Sequence, residues 1–176
     1  MLYTKLRFAI ILFFIALGII LHVQQGIGSA WYLYLAAVVL LLTFFLFGNV
    51  WLAFRLLKQG KPEKAEQLLN LIPKPNWLIR RNRAYYFFTK GMVLLQRKEL
   101  ASAENYLQKG LALGLQSKND KALASLNLAH IHYVQKEPQA AGKYLKQAQS
   151  YESDDLMIKE HLEKLQLALE NQARKE

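Results

Sequence analysis

The residue types that most often carry chemistry are few in this sequence and poorly spaced for it. His130 and His132 are two residues apart, so on a helix they point to different faces, whereas metal-binding pairs need a spacing of three or four. The carboxylates Glu152, Asp154 and Asp155 stand where a helix begins, and capping explains them. There is no cysteine, which excludes disulfides and thiolate metal sites. With no glycine-rich phosphate loop and no nucleophile elbow, we predict no metal, no cofactor and no enzyme, and we expect His132 to pack in a helical core.

A basic stretch with aromatic neighbours is the second candidate site. Its three arginines lie between Trp77 and the aromatic run 85–88. This composition is also found in nucleic-acid patches, but arginines at a cytoplasmic membrane surface meet anionic lipid, worth about 1 kcal/mol each. We expect lipid headgroups first, a solvated helix face second and nucleic acid last. The predicted headgroup-binding residues are Arg55, Lys58, Arg80, Arg81 and Arg83.

The membrane expectation comes from an uneven distribution of charge. The chain has a net charge of +10, yet residues 8–54 contain no Asp, Glu, Lys or Arg, and residues 55–109 carry 12 Lys or Arg against 4 Asp or Glu. Because a span needs roughly 20 apolar residues, we predict a hairpin of two transmembrane helices, over about 5–23 and 31–54, before a domain at 55–176. Lys and Arg flank the hairpin at both ends and are absent from its turn. The positive-inside rule then predicts an integral membrane protein, as in a bacterial inner membrane, with both termini cytoplasmic. The alternative for the first span is a cleaved signal peptide.

The soluble part repeats itself at a constant offset of 38 residues. In each copy a polar turn precedes a helix whose Ala and Leu, four residues apart, share one face. The small residue lets the preceding helix approach closely, and the leucine fills the space beyond. The repeated positions are Ala65, Ala103 and Ala141, and Leu69, Leu107 and Leu145.

This pattern resembles the tetratricopeptide repeat family, whose helix-turn-helix units have about 34 residues. The resemblance covers about residues 50–152 and is closest in the middle copy, where Phe87, Gly91 and Leu94 match the first helix and Ala103, Leu107 and Gly110 match the second. The first copy departs most, since its first helix would be 46–59 and would continue the second span. Residues 154–175 show the apolar spacing of a capping helix. The predicted fold class is all-α: a transmembrane hairpin, then a TPR-like α-α solenoid of about three repeats with a C-terminal cap.

The resemblance also implies a concave groove that binds a protein partner. Its residues would be Tyr85, Phe88, Thr89, Met92, Gln96, Leu123, Asn127, His130 and Tyr133. Aromatic, methionine and amide side chains suit a peptide groove, unless the C-terminal helix covers them. We expect a membrane-anchored scaffold or assembly factor with a peptide or membrane-complex subunit as its partner. The alternative is a small accessory subunit that docks on a larger membrane complex through its hairpin.

Overall fold

A computed structural model describes the backbone of residues 2–47 and 49–173 and the side chains of residues 6, 9–41 and 49–172. Every regular element in these ranges is a helix, which confirms the all-α prediction. Short 3-10 turns, Ile27–Ser29 and Pro75–Trp77, lie in two of the connections. The α-helices are α1 (Leu2–Gln25), α2 (Trp31–Phe47), α3 (Val50–Lys58), α4 (Pro62–Asn70), α5 (Arg80–Gln96), α6 (Leu100–Leu113), α7 (Lys118–Val134), α8 (Pro138–Ser150) and α9 (Leu156–Ala173).

The first two helices form an antiparallel pair. Their connection begins at Gly26, whose φ of 82° is a backbone conformation that glycine adopts readily. Ile11 of α1 and Ala37 of α2 are buried between the helices. Gly18 lies so close to the Tyr34 ring that an added Cβ would meet Cε1 at 3.0 Å. Many large apolar side chains of the pair are nevertheless exposed: Leu12, Phe13, Ile19, Ile20, Val23, Trp31, Leu35, Val38 and Val39.

The prediction of two transmembrane helices is wrong. Among the residues that the structure describes, no helix is long and apolar enough to cross a membrane. The helix α2 has 17 residues, which rise about 26 Å and stay short of a hydrocarbon core of roughly 30 Å. In α1, the charges of Lys5 and Arg7 and the polar end at residues 22–25 leave an apolar run of 14 residues, 8–21. This finding corrects three predictions: the transmembrane hairpin, the integral localisation in a bacterial inner membrane, and the topology with both termini cytoplasmic.

The second predicted span also does not continue into the repeats. The structure has two helices where the sequence predicts one over residues 31–54, because α2 ends at Phe47 and α3 begins at Val50. Asn49 occupies the N-cap position of α3 and has non-helical angles, φ −100° and ψ 23°. The first helix of the first repeat is therefore the nine-residue α3 and not an extension of α2.

The next six helices form three pairs, α3/α4, α5/α6 and α7/α8, whose turns are the same. Each turn has one residue with positive φ: Gly60 at 70°, Lys98 at 62° and Lys136 at 61°. The following backbone N–H reaches back to the carbonyl five residues earlier, from Lys61 to Leu56 at 2.9 Å, from Glu99 to Leu94 at 3.0 Å and from Glu137 to His132 at 2.9 Å. This is the Schellman ending of a helix. It recurs at the 38-residue offset found in the sequence, although membership of the tetratricopeptide family stays a prediction.

The repeated Ala and Leu positions are buried in all three pairs. Ala65, Ala103 and Ala141 are completely buried, as are Leu69 and Leu107, and Leu145 is 5% exposed. Because each Ala is the fourth residue and each Leu the eighth residue of the second helix of its pair, both pack against the first helix in the same way. The offset therefore reflects one packing arrangement that is used three times.

Two apolar cores hold the repeats together. The first core joins α3 to α7, and the second joins α7, α8 and α9 through Leu126, Leu145 and Leu162. In this way α9 covers the apolar side of the last pair, as a capping helix does.

Candidate partner-binding groove

An open apolar groove of about 550 Å³ lies where α5, α7 and α9 meet. The helix α7 forms its floor. The end of α5 and the start of α6 form one wall, and α9 forms the other. The lining residues are Leu95, Lys98, Leu100, Leu123, Leu126, Asn127, His130, Val134, His161 and Leu165. Its size is within the range of ligand-binding clefts, about 300–1,000 Å³.

Four of the predicted groove residues lie in or beside this groove. Leu123, Asn127 and His130 line it. Met92 is next to it, since the Asn127 side-chain nitrogen lies 3.5 Å from the Met92 sulfur. The same nitrogen donates a hydrogen bond to the Leu123 carbonyl at 2.7 Å, which holds the amide in place on the floor.

The other five predicted residues lie elsewhere. Gln96 is exposed at the end of α5 and is not among the lining residues, and Tyr133 packs against the core around α8 and α9. Tyr85, Phe88 and Thr89 are buried in the first core, each at most 2% exposed. The sequence predicts these three side chains on an open concave face, so this part of the prediction is wrong.

The burial of Tyr85 and Phe88 has a clear cause, which is that α3 packs across this face of α5. The ring of Phe54 lies 5.2 Å from that of Tyr85 and 5.8 Å from that of Phe88. The Tyr85 hydroxyl donates a hydrogen bond to Asp120 Oδ2 at 2.8 Å. Burial, and secondly this bond and the nearby carboxylate, raise the pKa of Tyr85 above its ordinary value. The phenol is therefore a neutral donor that ties α5 to the start of α7.

The polar side chains of the groove are the ammonium of Lys98, the amide of Asn127 and the imidazoles of His130 and His161. Lys98, His130 and His161 line it and are exposed, and no acidic residue is among the lining residues that the structure describes. His161 Nδ1 lies 2.7 Å from the Met157 carbonyl. Because a carbonyl can only accept, Nδ1 carries the proton and Nε2 remains for a ligand.

One whole wall of the groove is not predicted by the sequence. His161 and Leu165 come from α9, which we expected either to cap the solenoid or to fill the groove. As a capping helix does, α9 buries Ile158, Leu162 and Leu165 against the second core, and it leaves the groove open. The helical spacing of its leucines predicts an apolar face, but it does not show how far that face reaches over α7.

The predicted headgroup residues mostly contact the protein itself. Arg80 Nε donates to the Leu113 carbonyl at 2.9 Å and so caps the end of α6. Arg81 lies over the Trp51 ring at 5.3 Å. Lys58 lies 4.6 Å from the centre of the Phe54 ring and 3.7 Å from the Asp120 carboxylate. Arg83 donates to the Asn76 carbonyl at 3.5 Å. Arg55 lines the same small surface pocket as Trp51. Binding of headgroups by these residues stays a prediction.

His132 is buried in the repeat core, as expected from the sequence. It is 7% exposed, and its ring stacks on that of Tyr144 at 5.2 Å with an angle of 4°. Its Nδ1 lies 2.7 Å from Glu137 Oε2. The side chain therefore links α7 to the following turn and to α8.

No family model matches this chain, and neither a curated protein nor a solved structure does. The groove is therefore interpreted from its own residues and contacts.

Proposed function

We propose that this protein is a helical-repeat scaffold that holds a protein partner in the groove between α5, α7 and α9. The observation that carries this proposal is the groove itself, open to solvent and lined by six Leu or Val side chains. Val134 on its floor is 50% exposed. Contiguous exposed apolar surface with a polar rim is typical of an interaction site.

The composition of the lining favours binding over catalysis. A nucleophile and its general base must lie within hydrogen-bond reach of each other. Among the described lining residues, none is Ser, Thr, Tyr, Asp or Glu, so His130 and His161 have no hydroxyl nucleophile and no carboxylate partner in the groove. A scaffold needs only the apolar surface and its rim.

Site-specific photocrosslinking in the cells that make the protein tests this proposal. A photoreactive phenylalanine analogue at Val134 should form adducts with a distinct partner protein. The matched control is Leu71, which is 48% exposed and lies after α4, outside the groove. Both positions accept a bulky side chain, since neither is buried.

A second pair of variants distinguishes specific binding in the groove from nonspecific adsorption to the protein surface. With the photoreactive residue at His130, Val134→Arg should lower the adduct yield at least about fivefold, because a charge in an apolar contact is costly. Leu71→Arg should leave the yield unchanged. Equal adducts at Val134 and Leu71, or none at Val134, would reject the proposal.

A further inference from the structure

We infer that the partner segment held in the groove is an acidic amphipathic α-helix of about three turns. This inference rests on the proposed function and names the chemistry of the partner. The helix lays apolar side chains on the floor of the groove and brings carboxylates to the rim formed by the ammonium of Lys98 and the imidazoles of His130 and His161.

The length of the groove sets the length of the occupant. Floor residues follow one face of α7 at spacings of three or four, from Leu123 to Val134. These eleven steps rise about 16 Å, which equals three turns of a second helix. Such a helix presents apolar residues at i, i+3 or i+4, and i+7 to the floor.

The scarcity of backbone partners favours a helix over an extended peptide. Every backbone N–H and C=O that a ligand buries needs a hydrogen bond. The floor is the helix α7, whose backbone groups are hydrogen-bonded within the helix, and the side-chain nitrogen of Asn127 already donates to the Leu123 carbonyl. A helix satisfies its own backbone groups and asks only for apolar contact, whereas a buried strand would leave several groups unpaired.

The charge of the rim favours carboxylates on the occupant. One lysine and two histidines line the groove with no acidic residue among the described lining. Nε2 of His161 is the ring nitrogen left for a ligand, because Nδ1 donates to the Met157 carbonyl. The net charge of +10 also steers an acidic segment toward the chain.

The test uses the full chain and three fluorescein-labelled peptides of about 14 residues. The first has leucines at helical spacing with glutamates beside them, and the second has lysines in place of the glutamates. The third is the glutamate peptide with a central proline, which breaks the helix. Binding is followed by fluorescence anisotropy at low and at high salt.

We expect the glutamate peptide to bind about tenfold more tightly than the lysine peptide, since each exposed charge pair contributes about two- to fivefold. The proline peptide should bind at least about tenfold more weakly than the glutamate peptide. Equal binding of the two charge variants would overturn the acidic part, and equal binding of the proline peptide would overturn the helix. No binding of any peptide at about 1 mM would overturn both parts.

A charge-matched pair of variants locates the effect. Lys98→Glu should weaken the glutamate peptide at least about fivefold and strengthen the lysine peptide. Lys146→Glu changes the net charge equally on the exposed side of α8, outside the groove, and should change either affinity less than about twofold. Equal effects of the two variants would show general attraction and reject the inference.

Val134→Arg keeps failure of this inference distinct from failure of the proposed function. Suppose that Val134→Arg abolishes peptide binding while Lys98→Glu and Lys146→Glu change the peptide affinity equally. That result would support the groove as the binding site and reject the acidic partner. If Val134→Arg has no effect on the peptides or on crosslinking, the groove is not the binding site and both proposals fail.

Discussion

Replacing Gly91 by alanine tests the close packing of α5 against α6. A Cβ at Gly91 would meet Leu107 Cγ at 2.8 Å and the Leu107 backbone nitrogen at 3.1 Å. Leu107 is completely buried, so neither atom can move freely. Overpacking of this kind costs about 2–3 kcal/mol, and the better helix propensity of alanine offsets about 1 kcal/mol of it. The net loss in the free energy of unfolding is therefore about 1–2 kcal/mol.

Gly142 provides the matched control, because it is also inside a helix. A Cβ there would meet nothing within 4 Å, so Gly142→Ala should gain about 0.5–1 kcal/mol from propensity alone. Urea denaturation followed by circular dichroism measures both changes, and their difference of about 2 kcal/mol corresponds to about 4–8 °C in Tm. If Gly91→Ala proves as stable as Gly142→Ala, the close approach of the two helices is wrong.

Three further predictions concern a turn and two titrating groups. Lys136→Gly should raise the free energy of unfolding by about 0.5–1 kcal/mol, because the positive φ of 61° strains any residue with a Cβ. Lys136→Ala is the control, since alanine keeps the Cβ. An equal gain in stability from Lys136→Ala in urea titrations would contradict this cause. Burial raises the pKa of Tyr85 and of Tyr86 above 10.0, so the folded state holds both protons more tightly. The stabilising contribution of the two phenols is then fully present below about pH 10 and is lost as the pH rises further. Urea titrations at pH 8 and 11 should show this fall in the free energy of unfolding. An equally steep fall in the Tyr85→Phe variant would exclude Tyr85 as a source. Lys118 lowers the pKa of Asp154 by a hydrogen bond and by its charge, so Lys118→Met should raise that pKa, which carboxyl-carbon NMR measures; an unchanged value would rule out the contact.

Local features of the fold could be predicted well from the sequence. The 38-residue offset located the turns at Gly60, Lys98 and Lys136, and the structure gives all three the same ending. It also located the buried Ala and Leu sets. These features depend on spacing along one helix and its turn, so a short window of sequence contains the physics that decides them.

Features that need distant neighbours were predicted less well. Asn127 and His130 do line the groove, but Tyr85 and Phe88 are on the same predicted face and are buried under Phe54 of α3. Helical periodicity says which residues share a face, and it does not say which helix covers that face. The prediction of transmembrane helices failed for a related reason, since a long apolar run does not reveal that a separate helix begins at Val50.

By itself, therefore, the sequence determined that this protein is helical, where the paired helices turn and which small and large residues meet within each pair. Helix geometry is intrinsic to the chain, so these properties follow from local spacing. The tertiary structure alone decided that α3 closes one part of the concave face and that α9 walls another part without filling it. Those outcomes depend on the angles and distances at which helices far apart in the sequence pack, and such packing is set by side-chain contacts that no single segment contains.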